Sequence, residues 1–189
     1  MKQCVAVEMK QATAAGCEIC LEFRCWMDTD PSEEGLLNRL DESIFISIAA
    51  YRDPQLIPTV MDCIRKARNP ERLRFGICWQ RGEEEALLPF REDPRFRILE
   101  VDWRQSKGAC WARAEIMKLW QGEDWFLQLD SHCRLANGWD ELLLRAAANT
   151  GCKKPILSTY PAPFTPGENE ILTEGPLQVA FQAFTADGI

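Results

Sequence analysis

Residues 44–60 read IFISIAAYRDPQLIPTV, and this stretch decides the fold. The first seven, IFISIAA, are almost wholly apolar and rich in β-branched side chains, the composition of a strand covered on both faces. A polar turn, YRDP, follows. Then LIPTVMDCIRKA, residues 56–67, sets Leu56, Val60, Ile64 and Ala67 at helical spacing. A buried strand that turns directly into an amphipathic helix is the opening of a βαβ unit.

The rest of the chain repeats the alternation. LRFGICW (73–79) is a second buried strand after the NPER turn, and FRILEVDW (96–103) a third. GACWARAEIMKLW (108–120) reads as a helix, DWFLQLD (124–130) as a fourth strand, GWDELLLRAAANT (138–150) as a strong helix and PILSTYP (155–161) as a further strand. Strands alternating with helices predict an α/β fold with a mostly parallel sheet and right-handed crossovers. Ligands of such sheets sit outside the carboxyl ends of the strands. The candidates are therefore Tyr51, Arg52 and Asp53 after the first strand, Gln80 and Arg81 after the second, Arg104 and Lys107 after the third, and Asp130 and His132 after the fourth. Residues 1–43 have poor periodicity and include the loop-like DTDPSEEG at 28–35, so they are predicted to be an extension, with one domain over 44–189.

Composition narrows the function. The chain has 189 residues, 46% hydrophobic and 27% charged, enough to fold by burying one core. Acidic residues outnumber basic ones 29 to 22, for a net charge of -7, which argues against a nucleic-acid binder. No apolar run approaches the roughly 18–20 residues needed to span a bilayer. The start, MKQCVAVEMKQATAAGC, lacks a clean apolar segment of a secretion signal, so the expected location is the cytoplasm. Nine cysteines then read as reduced and mostly buried thiols. Cys17 and Cys20 form a lone CxxC with no second pair or nearby histidine to complete a zinc site.

The chemistry concentrates in FLQLDSHCR, residues 126–134, which holds the only histidine. Asp130 and His132 are two apart in an extended segment, so they point the same way and offer one carboxylate oxygen and one imidazole nitrogen. That pair suits Mn²⁺ or Mg²⁺ held jointly with ligand phosphates. The plainer alternative is that Asp130 caps the turn and His132 packs beside it. Arg52, Arg104, Lys107 and Arg113 fall on the same sheet edge as counter-charges for a diphosphate. Gly108, at a helix start, lets the backbone approach a phosphate closely.

GACWARAEI followed by WFLQLDSHCRLANGWDELL resembles the nucleotide-binding segment of the polypeptide N-acetylgalactosaminyltransferases, whose metal motif reads DSHCE. IFISIAAYRDPQLIPTV, NPERLRFGICWQ, RQSKGACWARAEI, LQLDSHCR, GWDELL and PILSTYP are more similar still to the related cytoplasmic-type N-acetylglucosaminyltransferases, which modify hydroxyproline on a protein, and to their bacterial homologues. The resemblance covers residues 44–161, with a weaker echo in the closing FQAFTADGI.

It implies a Rossmann-like GT-A nucleotide-sugar-binding domain, a UDP-sugar donor, Mn²⁺ and a hydroxyl acceptor, with a protein among the candidates. Asp130 and His132 match the metal ligands and Arg113 the arginine facing the donor diphosphate. Tyr51, Arg52 and Asp53 would lie near uridine. Trp139, Asp140 and Glu141 would lie near the sugar or acceptor, although Trp139 equally suits a core and the two acids suit the first turn of a helix. The chain departs from the family twice. The related enzymes complete the metal site with a later histidine, and their domain continues well past the DSH strand, so a C-terminally truncated domain is expected. Two competing readings follow, a non-catalytic remnant that binds a nucleotide or partner, and a metal-dependent hydrolase of nucleotide-sugars.

Overall fold

A computed structural model describes residues 41–159 and 164–166. The elements run β1 (Ile44–Tyr51), α1 (Leu56–Lys66), β2 (Leu73–Arg81), β3 (Phe96–Asp102), α2 (Ala109–Met117), β4 (Trp125–Asp130) and α3 (Trp139–Asn149). Short 3₁₀ turns occupy Pro70–Arg72 and Trp103–Gln105. The four strands form one parallel sheet in the order β3-β2-β1-β4. The α/β class and the mostly parallel sheet, consistent with a Rossmann-like GT-A domain, are what the residue pattern predicts.

β1 is apolar along its length because both its faces are covered. Ile44, Ile46, Ile48 and Ala50 pack with Leu56, Val60 and Cys63 of α1 and with Trp139, Leu144 and Ala147 of α3. The intervening Phe45 and Ala49 face Ala112 and Ile116 of α2. Gly76 in β2 makes room for that second layer. A Cβ there would collide with the Phe45 ring and lie 2.8 Å from Ile116 Cγ2. The segment between β2 and β3 is anchored by Leu88 and Phe90, and Phe90 stacks on Phe96 at 4.4 Å, which in turn stacks on Phe75 at 4.5 Å.

The strand order positions the site. The chain steps from β1 to β2 to β3, then crosses back over to the free side of β1 to lay down β4. The order reverses between β1 and β4, and the crevice outside their carboxyl ends is where such sheets bind ligands. Ala49 pairs with Asp130 and Tyr51 with Gln80, so the ends of β1, β2 and β4 arrive at one edge.

Two elements depart from expectation. The helix read as 108–120 stops at Met117, and its tail tightens into turns in which Leu119 N–H donates to Ile116 and Trp120 N–H to Met117. The strand expected at 155–161 is absent over residues 155–159, the part of it that is described. An apolar run becomes a strand only by pairing, and this one begins with Pro155, which has no N–H to donate. Residues 1–40, with Cys17 and Cys20, lie outside the described residues, as does the closing FQAFTADGI. Among the described residues no helix is long and apolar enough to cross a membrane.

Candidate functional site at the β1/β4 edge

The end of β1 turns sharply. Arg52 has φ 47°, a left-handed backbone that costs a non-glycine residue about 1 kcal/mol. In this conformation the Arg52 N–H donates to the Gln80 carbonyl at 2.9 Å. The turn sends neighbouring side chains in two directions. Tyr51 and Arg52 go toward β3, and Asp53 goes toward β4.

On the β4 side, Asp53 ties the two strand ends together. Its Oδ1 accepts the Gln55 N–H at 2.8 Å, which stabilises the entry to α1. Its Oδ2 accepts the Ser131 hydroxyl at 2.5 Å and lies 2.8 Å from His132 Nδ1. Burial pushes the Asp53 carboxyl upward, but the bonds from Ser131, His132 and the Gln55 amide outweigh it and hold the group below the usual carboxylate range. Behind this turn, the buried Thr59 hydroxyl donates to the Ser131 carbonyl at 2.8 Å and accepts the Cys133 N–H at 3.1 Å. Arg134, also buried, reaches Gln55 Oε1 at 2.7 Å. The DSH turn is thus held from below by α1.

The outward side chains of the turn remain open to solvent. His132 is 63% exposed and Asp130 54% exposed. Asp130 Oδ1 is bonded to Arg113 of α2 at 3.0 Å. His132 Nε2 and Asp130 Oδ2 accept no hydrogen bond among the described residues. These two atoms form a mixed oxygen and nitrogen donor pair, with the second ring nitrogen of His132 already on a carboxylate, the usual setting of a metal-binding imidazole. Among the described residues no three histidine, cysteine, aspartate or glutamate side chains group closely enough to enclose an ion alone. The pair offers oxygen and nitrogen donors of the kinds a divalent ion accepts, and the described side chains alone do not complete a coordination set.

On the β3 side an aromatic and cationic cluster surrounds Trp103. Tyr51 meets it edge-on at 6.4 Å, Arg52 lies over the ring at 4.8 Å and Arg104 at 5.0 Å. Arg52 also pairs with Glu84 at 3.0 Å, and Arg104 with Asp102 at 3.3 Å. The buried Gln80 holds this loop to the sheet, with its Nε2 donating to the Ala50 carbonyl at 3.3 Å and its Oε1 accepting the Ser106 hydroxyl at 2.5 Å. Lys107 sits 5.9 Å from the centre of the Trp111 ring, and Gly108 opens α2 with φ 92°. Tyr51, Arg52, Asp53, Gln80, Arg104 and Lys107 lie at or just after the ends of β1, β2 and β3, whereas Gly108 caps α2 and Arg113 lies within it. Of the four cations, Arg52, Arg104 and Arg113 are ion-paired rather than free.

Asp140 and Glu141 require a correction. Asp140 is 3% exposed, and its two oxygens accept the Arg68 and Asn69 amides at 2.7 and 2.8 Å. Those amides precede β2, at the opposite edge of the sheet. From Ser131 the chain runs alongside α1, past Asp62, until the Gly138 N–H reaches the Lys66 carbonyl at 2.7 Å. α3 therefore begins far from the DSH turn. Glu141 pairs with Arg145 on the helix surface at 2.7 Å, and Trp139 is core, its indole N–H donating to the Cys63 carbonyl at 3.0 Å.

Two concavities lie away from the turn. One of about 170 Å³ is lined by Trp79, Leu88, Arg91, Ile98 and Glu100. Another of about 460 Å³ lies between the end of α1 and the start of α3. Neither is lined by Asp130 or His132, which lie on the open edge between β1 and β4.

A family model described as Glycosyltransferase (GlcNAc) matches residues 43–91 and 84–189. The chain belongs to this glycosyltransferase family. No curated protein matches it. A glycosyltransferase brings together a sugar donor, in this class a nucleotide-sugar, and an acceptor, and the β1/β4 edge is where the sheet of this one presents its polar side chains.

Sequence reasoning passed over Ser131, Thr59, Gln55, Ser106 and Trp103. Ser131 is the middle residue of the motif, and its serine chemistry was the available signal. Thr59 and Trp103 sit inside apolar runs and gave none.

Proposed function

We propose that this chain transfers a sugar, N-acetylglucosamine in the simplest case, from a UDP-sugar to a hydroxyl acceptor with the help of a divalent cation such as Mn²⁺. The observation that carries the reading is the pair of free ligating atoms, Asp130 Oδ2 and His132 Nε2, at the topological switch point of the sheet. Asp130 and His132 would hold the cation together with donor phosphates. When bound, the cation offsets the charge that builds on the departing UDP as the sugar bond breaks.

The chain's own residues complete the donor side. Arg113, bonded to Asp130, would face the donor diphosphate, and guanidinium matches phosphate geometry. Lys107 and the α2 amides after Gly108 add positive potential beside it. Tyr51, half exposed, supplies a flat surface for a base. The similarity to hydroxyproline-modifying enzymes supports a protein acceptor.

One observation favours a second reading. Of the carboxylates described at these strand ends, Asp53, Glu84 and Asp102 are each hydrogen-bonded or ion-paired and Asp130 keeps one free oxygen for the cation, which leaves no evident base and suits a domain that binds a nucleotide-sugar and transfers nothing. Free UDP distinguishes the readings. UDP-N-acetylglucosamine and Mn²⁺ are incubated with the chain, with and without a hydroxyproline peptide. Mn²⁺-dependent UDP release that requires the peptide supports transfer. Release without any acceptor identifies a hydrolase, and binding without release identifies a binding module.

A further inference from the structure

His132 stands 63% exposed at the end of a strand, where an unrestrained imidazole samples several rotamers and both tautomers. Here it is restrained by a residue 79 positions away. Asp53 comes from the neighbouring strand end, with its own carboxylate fixed by the Gln55 amide through Oδ1. Oδ2 faces β4 and meets both the Ser131 hydroxyl and His132 Nδ1. A carboxylate accepts but cannot donate, so a neutral ring must place its proton on Nδ1 to make this bond. The lone pair is then on Nε2, the nitrogen turned to solvent.

We propose that Asp53 is the positioning residue of His132: it holds the ring as the Nδ1–H tautomer and presents Nε2 as the ligating atom beside Asp130. This deepens the donor-site reading and rests on it for the identity of what Nε2 binds, while the tautomer itself is a property of the unliganded chain. It also gives Asp53 a role other than contact with uridine, since both of its oxygens are already engaged. The clamp crosses the switch point, so the ends of β1 and β4 are set in register by the same carboxylate that orients the ligand. Of the surrounding groups, Ser131 shares the oxygen, Arg113 pairs with Asp130, and Thr59 supports the turn through its main chain.

The chain has one histidine, so the test has one signal. Long-range proton–nitrogen correlation spectra of the ¹⁵N-labelled chain, at a pH alkaline enough for a neutral ring, are expected to show a protonated Nδ1 and a bare Nε2. Asp53→Ala is expected to shift the ring toward the Nε2–H form that predominates in free imidazole side chains. Ser131→Ala, which removes the other bond to the same oxygen, is expected to keep the native tautomer. Titration of Mn²⁺ with UDP is expected to show affinity roughly 10- to 100-fold weaker in Asp53→Ala. An Nε2–H ring in the unaltered chain overturns the proposal without any variant having to fold. So does an Asp53→Ala spectrum unchanged from the native one. An Nδ1–H ring in a chain that binds no UDP with Mn²⁺ supports the clamp and overturns the donor-site reading, so the two failures are separable.

Discussion

Asp130 and Asp140 lie ten positions apart in the chain and at opposite edges of the same sheet. Asp140 is 3% exposed, with both oxygens accepting backbone amides that turn the chain from α1 into β2. The Asp130 side chain is 54% exposed, with one oxygen on Arg113 and the other open. The edge that receives the amino ends of the strands uses its carboxylate to satisfy main chain. The edge that receives the carboxyl ends leaves one available. A buried acid with both oxygens hydrogen-bonded contributes stability, and an exposed acid with a free oxygen beside a held imidazole is equipped to bind.

The strongest way to break this contrast is Asp140→Ala. It strands two amides in a part-buried turn and empties a buried carboxylate site, at about 3 kcal/mol in total, since each unmet group costs roughly 1–3 kcal/mol. For a chain of this size the melting temperature is expected to fall by about 6–12 °C, with UDP affinity of the folded protein unchanged. Calorimetric melting checks the first part and titration the second. Gly76→Ala, midway between the edges, presses a methyl into Phe45 and Ile116 and is expected to cost about 2 kcal/mol. Its melting temperature should drop without any effect specific to UDP.

Acid sharpens the contrast. Burial raises the Asp62 carboxyl, but the Leu135 amide, Lys66 and Arg65 outweigh it and hold the group below the ordinary range. Its folded value lies below its unfolded one, so its stabilisation is complete above about pH 4 and is lost as pH falls through the folded value. The melting-temperature gap between the native chain and Asp62→Asn is expected to be widest near neutral pH and to close toward pH 3. A gap that widens in acid contradicts this assignment. The smallest effect belongs to Glu141→Gln. Its pair with Arg145 is a partly exposed i,i+4 contact worth at most about 0.5 kcal/mol, so both melting and UDP binding should stay close to native.

The fold was legible because burial on both faces writes itself into β1 and β2 as continuous apolar runs, and α1 and α3 carry clear helical spacing. The expected strand at 155–161 failed over its described part, since an apolar run does not reveal whether a partner strand is available. The DSH motif was legible because Asp130 and His132 are two positions apart, the spacing that puts them on one face of an extended segment. Asp140 and Glu141 misled for a physical reason: acids in a first helical turn look the same whichever edge the helix starts from. Only the path of residues 131–138 along α1 decides that edge. The Asp53–His132 bond was invisible because it joins strand ends that become neighbours only through the order of the sheet.

The proposed donor site makes the open edge the binding edge and leaves the closed edge to hold the fold. Its most direct test is calorimetric titration of UDP, with and without Mn²⁺, into the native chain and Asp130→Ala, with the melting temperature of each recorded. The expected result is Mn²⁺-dependent binding in the native chain, its loss in Asp130→Ala, and a melting temperature that barely moves. A native chain that binds no UDP with Mn²⁺, or an Asp130→Ala variant that binds it equally well, would contradict the claim.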